Sequence, residues 1–253
     1  MYQLSDIDWF EWNGTKCTEY GVHVLRQPAP IRPIERISEE TIPGRSETLT
    51  LKEGNDIYDG ITMQCTCIID DMYSEDVNLI AKFNGWLRGS GIVTFANRQE
   101  GFYKARIANQ ISFDQVLAGH PHRTFSVQFQ CSPFLYLYSG MTPTVYSNTQ
   151  QITNKGNIPS LPLIKVTGNA EGNLMIGGST MIINDFTGLD YIMIDNEAKI
   201  VYKGEKGNAT DPLTLLGTRV TGEWMNIPTG NSFISYTGGI QTVTITPRWR
   251  CIG

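Results

Sequence analysis

Several features are scarce or missing in this 253-residue chain, and each gap closes off a class of function. No apolar run approaches the roughly 18 residues that a membrane-spanning helix needs. The opening residues Met1-Tyr2-Gln3-Leu4-Ser5-Asp6 have neither a basic region nor an apolar stretch, so no secretion signal is expected. Histidine occurs three times. There is no H-E-x-x-H, no G-x-S-x-G, no Walker A loop and no complete dinucleotide fingerprint, since Gly89-Ser90-Gly91 lacks the third glycine and opens a strand pattern. His120 and His122 flank Pro121 in a glycine-containing turn, and no neighbouring acid or thiol completes a metal site around them. His23, in Gly21-Val-His-Val-Leu25, reads as a strand residue. No catalytic residue, metal or cofactor is expected.

Disulfide chemistry is disfavoured too. The cysteine count is five, an odd number without a signal peptide, and no C-x-x-C pair occurs. Cys65 and Cys67 are one residue apart, which in a strand puts both on one face with Ile61, Met63 and Ile69, opposite Thr62, Gln64 and Thr66. Cys131 follows Phe125, Val127 and Phe129 in the same way. These thiols read as small buried hydrophobes. Basic clusters are absent as well. Net charge is −5, all of it within residues 1–140, which hold 12 Lys and Arg against 17 Asp and Glu; residues 141–253 hold 8 of each. Such a chain has no footprint for gripping phosphates.

What is present suits many short strands: 40% hydrophobic residues, 25 glycines and 12 prolines. The length suits two domains, divided near residue 140 into 1–140 and 141–253. In the second, strand patterns recur at 161–167, 173–176, 180–183, 191–194, 199–202, 232–236 and 241–249, separated by turns such as Gly177-Gly178 and Asp195-Asn196, the spacing of a β-sandwich. From Val243, the positions Val243, Ile245, Pro247, Trp249 and Cys251 form one face and Thr242, Thr244, Thr246, Arg248 and Arg250 the other. The stretch Met141–Gln151 is polar and reads as lacking strong burial.

In the first domain one helix is expected, with Ser74 as its cap, Glu75 and Asp76 in its first turn, and Val77, Leu79, Ile80, Phe83, Trp86 and Leu87 as its apolar face. That face should seal the sheets. Between Arg26 and Arg36, Pro28, Pro30 and Pro33 remove backbone donors, so this segment cannot sit inside a sheet. It reads either as an irregular loop or as an extended arm in which Pro28, Pro30, Ile31, Pro33 and Ile34 would contact another copy.

Several motifs, in order, resemble those of the distal tail (Dit) proteins of long-tailed phages infecting Gram-positive bacteria. They are Phe10-Glu-Trp-Asn-Gly14, Glu35-Arg36 with Ile42-Pro-Gly-Arg-Ser46, Trp86-Leu-Arg-Gly89, Tyr103-Lys-Ala-Arg-Ile107, Phe125–Phe134 with its F-x-C-x-P-F closure, and the terminal Val243–Arg250. Glu47 stands where the family usually has Gly, and Gly222-Glu-Trp-Met225 departs from its usual turn. The resemblance implies a mainly β, two-domain protein: an N-terminal β-sandwich with one helix and an extended arm, and a C-terminal sandwich like a galectin or carbohydrate-binding module. It also implies a structural, non-enzymatic protein that forms a homohexameric ring through the first domain. The ring would join the tail tube protein to tail-tip, tail-associated fibre or lysin, and receptor-binding proteins. DNA would pass its lumen without specific binding. The setting would be the virion tail tip, assembled in the bacterial cytoplasm. The alternative is a carbohydrate-binding module recognising host-surface saccharide, for which Trp224, near Asn226 and Asn231, and Tyr236, before Gly238-Gly239, are candidate contacts.

Overall fold

The computed structural model describes residues 7–52, 54, 56–69, 77–115, 122–205, 208 and 210–253. The expected cap Ser74, its neighbours Glu75 and Asp76, and His120 lie outside the described residues. The chain divides into two compact units, Met1–Leu135 with Ile252–Gly253, and Tyr136–Cys251. Backbone therefore passes from the first unit to the second after Leu135 and comes back after Cys251.

The first unit contains β1 (Phe10–Trp12), β2 (Thr15–Lys16), β3 (Val22–Arg26), β4 (Ile37–Thr41), β5 (Thr48–Lys52), β6 (Ile61–Ile69), α1 (Val77–Trp86), β7 (Ser90–Phe95), β8 (Gly101–Ile107), β9 (Asp114–Gln115) and β10 (Arg123–Cys131). Its main sheet runs β2-β1-β7-β8-β10-β6-β3, with β9 beside β10. The long β6–β10 pair is fully antiparallel, with Cys65 opposite Val127 and Met63 opposite Phe129. Alternation does the sorting here: Ile61, Met63, Cys65, Cys67 and Ile69 are buried while Thr62 and Gln64 face water.

This sheet curls back on itself. The Val24 N–H donates to the Asp8 carbonyl at 2.6 Å, and the rings of Phe10 and Trp12 on β1 lie 5.2 and 5.8 Å from Phe129 on β10, although β7 and β8 intervene in the strand order. Helix α1 covers the apolar side through Phe83, which meets Tyr20, Phe113 and Phe125 edge-on, and through Trp86, stacked on Tyr20 at 4.7 Å. His23 is in β3, its Nδ1 2.6 Å from Asp8 Oδ2.

The strand β11 (Leu135–Leu137) begins at Leu135, where the chain leaves the first unit. Beyond it come β12 (Thr144–Tyr146), β13 (Gln150–Asn154), β14 (Leu163–Gly168), β15 (Gly172–Ile176), β16 (Ser179–Ile183), β17 (Ile192–Asp195), β18 (Ile200–Lys203), β19 (Thr214–Leu215), β20 (Val220–Gly222), β21 (Gly230–Tyr236), β22 (Ile240–Thr246) and β23 (Arg250–Cys251). Among the described residues β12 to β22 build a six-stranded sheet, β12-β22-β14-β17-β18-β19, and a five-stranded sheet, β13-β21-β15-β16-β20, while β23 pairs with β11. Ile164, Val166, Ile194 and Val243 of the first and Leu174, Ile176, Ile183 and Ile234 of the second are fully buried in a common core. That is a β-sandwich.

Two local expectations change. Met141–Gln151 does contribute strands, because β12 and β13 are edge strands whose backbone is paired on one side while most of their side chains stay in water. The terminal strand does not run unbroken to Cys251. It ends at Thr246, Arg248 takes a left-handed φ of 54°, and the alternation slips so that Arg250 is buried and Cys251 half-buried. The Arg250 guanidinium compensates its burial by donating from Nε to the Pro159 carbonyl at 3.2 Å.

Candidate interaction sites

The cysteine motif belongs to the core. Burial pushes the Cys17 and Cys131 thiols up to about 12, and those of Cys65 and Cys67 well above their ordinary value, so all four are neutral thiols without nucleophilic character at physiological pH.

The proline segment begins where Gln27 donates through Nε2 to the carbonyls of Ile7 and Trp9 at 2.7 and 2.9 Å. Asn97 Nδ2 then donates to the Pro28 carbonyl at 3.0 Å. Of the five candidate contacts, Pro28 and Pro33 are buried within the chain and Pro30, Ile31 and Ile34 are at the surface, Ile34 being 74% exposed. Chain pairing resumes beyond them: Asp59 N–H donates to the Ile34 carbonyl and Arg36 N–H to the Ile57 carbonyl, and from Ile37, paired with Lys52, a β4–β5 hairpin forms a sheet of its own. Every residue of β4 and β5 is exposed, on both faces.

Local sequence explains the hairpin. Pro43 fixes the second position of the Ile42–Arg45 turn, Gly44 supplies φ 85° at the third, and Arg45 N–H closes it on the Ile42 carbonyl at 3.1 Å. One face presents Leu49 and Leu51, opposite Glu40 and Ser38. At the base, Lys52 Nζ meets Glu35 Oε2 and Arg36 Nε meets Asp59 Oδ1, each at 2.9 Å. The hydrogen bond from Lys52 holds the Glu35 carboxyl below its ordinary value. Both pairs are in water and add little to stability. Sequence reading missed the hairpin as an element, although its turn residues were in plain view.

In the second unit Trp224 is 38% exposed and borders a cavity of about 230 Å³ with Met181, Ile200, Val201, Leu215 and Val220. The cavity lies beside the edge strands β19 and β20 of the two sheets. Trp224 is held there by its neighbours. Glu223 N–H donates to the Thr180 carbonyl at 3.1 Å, and the buried Met225 donates its N–H to Asn196 Oδ1 at 2.8 Å, while Asn196 Nδ2 donates to the Pro162 carbonyl. Gly222, φ 117°, permits the close approach, since a Cβ there would fall 2.6 Å from the Thr180 oxygen. Tyr236 is elsewhere. It packs on the core from β21, and β15 and β16 separate it from β20. The two aromatic candidates therefore do not form one site.

A third constellation carries charge inside the second unit. Arg248 Nη1 and Nη2 bind Asp195 Oδ1 and Oδ2 at 2.8 and 3.1 Å, Nη1 also reaches Glu197 Oε2 at 3.3 Å, and the Tyr136 hydroxyl donates to Glu197 Oε1 at 2.6 Å. Burial alone would raise the Asp195 carboxyl, but Arg248 and the Ala198 and Glu197 N–H groups hold it below its usual value. Burial and the adjoining Glu197 carboxylate push the Tyr136 phenol up, so it remains a donor. The grouping is a closed structural tie with no open coordination position.

No family model matches the chain, and no curated protein does. Solved structures do. A chain of the phage P2 baseplate in its activated conformation is 11% identical over 94% of this chain and 97% of its own, with a TM-score of 0.46. The Dit protein of phage SPP1, described as a paradigm of the hub of adsorption apparatus in phages infecting Gram-positive bacteria, is 12% identical over 94% of this chain and 98% of its own, with a TM-score of 0.67. Two compact β units, strung in this order and matched almost end to end, give the chain the fold of a Dit-type distal tail protein.

Proposed function

We propose that the protein is a structural component of a phage tail tip: a ring of six copies built by the first unit, joining the tail tube to tail-tip and receptor-binding proteins, with DNA passing its lumen. One observation carries this reading, the β4–β5 hairpin exposed on both faces. A two-stranded hairpin in water is marginal at best, so this element finds its partner surface in an assembly. Head-to-tail contacts between copies, hairpin and Pro30-Ile31-Ile34 of one against its neighbour, close a ring when the rotation per copy divides a full turn. The SPP1 Dit likeness and the order of sequence motifs support the same role. No chemical step is required of it. Light scattering of the purified chain tests it: six copies of the 28.3 kDa chain give a mass of about 170 kDa. Monomer at every concentration, even with tail tube protein added, would exclude a ring.

A second reading is favoured by the cavity beside Trp224: the second unit binds host-surface saccharide there. An exposed indole at the rim of an apolar hollow is a common way to seat a sugar ring. Tyr236, two strands removed from this cavity, has no part in that reading.

A further inference from the structure

An aromatic ring stands in water on the outward face of the five-stranded sheet. Phe233 lies between the buried Ser232 and Ile234, which turns it away from the core, and it is 62% exposed. A single exposed apolar side chain needs no explanation. Its surroundings are what set it apart. Gln151 is directly opposite on β13, and two residues along, Thr153 faces Asn231 and donates its hydroxyl to Asn231 Oδ1 at 2.8 Å. On the other side the last β15–β21 pair is Ile176 with Ile234, so the next position is Gly177, where Pro228 fills the place a side chain would take. Met175 lies diagonally across, opposite Ser235. The remaining outward positions of this sheet are Asn, Thr and Ile, and none of them is charged.

Ring, carboxamides and hydroxyls without charge define the ligand chemistry. A charged polymer would find no counter-charge on the strands of this face; beyond β13 a charge comes at Lys155. An apolar helix would bury the Gln151 carboxamide and the Asn231 Nδ2 donor, at a cost for each left unbonded. A pyranose satisfies both requirements, its C–H face resting on the ring and its hydroxyls exchanging hydrogen bonds with groups that both donate and accept. We propose that the face around Phe233, Gln151 and Asn231 binds a neutral saccharide chain. The proposal rests on the reading of the second unit as a saccharide binder, but places the contact on a different surface: Phe233 is on β21, and Trp224 follows β20 at the sheet's edge.

The test uses the full-length chain and neutral hexasaccharides of glucose, galactose and N-acetylglucosamine, with polygalacturonate as the charged comparison, read by saturation-transfer NMR and affinity electrophoresis. Binding of at least one neutral hexasaccharide is expected. Phe233→Ala should weaken it about tenfold with the melting temperature unchanged, Gln151→Ala by several-fold, and Val145→Ala, on the exposed edge strand of the other sheet, should leave it intact. Loss in Trp224→Ala with retention in both sheet-face variants would overturn this site while the cavity reading stands. No binding to any neutral glycan would remove both, and equal binding to polygalacturonate would overturn the claim of a neutral ligand.

Discussion

Arg248 combines three local costs that its neighbours offset: a left-handed backbone, a guanidinium mostly out of water, and two carboxylates drawn in beside it. Its N–H donates to the Gly140 carbonyl at 2.8 Å, so the strained residue also fixes the start of the second unit. Replacing it by methionine leaves Asp195 and Glu197 partly buried without their cation. The expected cost is roughly 3 kcal/mol, seen as a lower urea midpoint. The pH dependence has a definite sign. The folded Asp195 carboxyl is depressed, so its stabilisation is complete above the unfolded carboxyl value of about 3.9 and is lost as pH falls through the lower folded value. Urea titrations at pH 6 and pH 3 should therefore show a smaller acid loss in Arg248→Met than in the unmodified chain. Equal acid losses would show that this tie contributes nothing to acid sensitivity.

Among elements, those that bury one face were legible in the sequence and those that do not were not. The β14 to β18 strands and β21 lie within two residues of their periodic patterns because alternation there separates core from water. Strands β12, β19 and the β4–β5 hairpin bury almost nothing, so no hydrophobic period marks them, and only backbone pairing reveals them. The cavity beside Trp224 was hidden for another reason. Met181, Ile200 and Leu215 meet there through strand registers that no local spacing encodes. The hairpin's separateness makes it removable. Replacing Ile37–Lys52 by two glycines should leave the far-ultraviolet circular dichroism of the sheets and the melting temperature nearly unchanged while reducing the mass in light scattering to that of one chain. A collapse of the strand signal would make the hairpin a folding element instead.

For the whole molecule, the excess negative charge falls in one part of the chain. The net −5 falls within residues 1–140, the part proposed to form the ring, and the outward positions of β6 and β10 include a hydrogen-bonded mesh of uncharged side chains, Thr62 with Gln130 and Gln64 with Ser126. A titration with duplex DNA at low salt should show no micromolar binding. Affinity that falls steeply as salt rises would expose a basic surface and refute a lumen that does not retain DNA.

The chain's course through its two units also bears on its endurance. Because the backbone leaves the first unit after Leu135 and re-enters it at Ile252, with Arg98 Nη1 donating to the Gly253 carbonyl there, the second unit is spliced into the first and not hung from its end. A cut at the second crossing would leave the second unit covalently joined through Leu135, whereas a cut at the first would leave it to the non-covalent contacts of Ile252–Gly253, among them the bond from Arg98. The first crossing is therefore the one whose cleavage would break the covalent link between the two units.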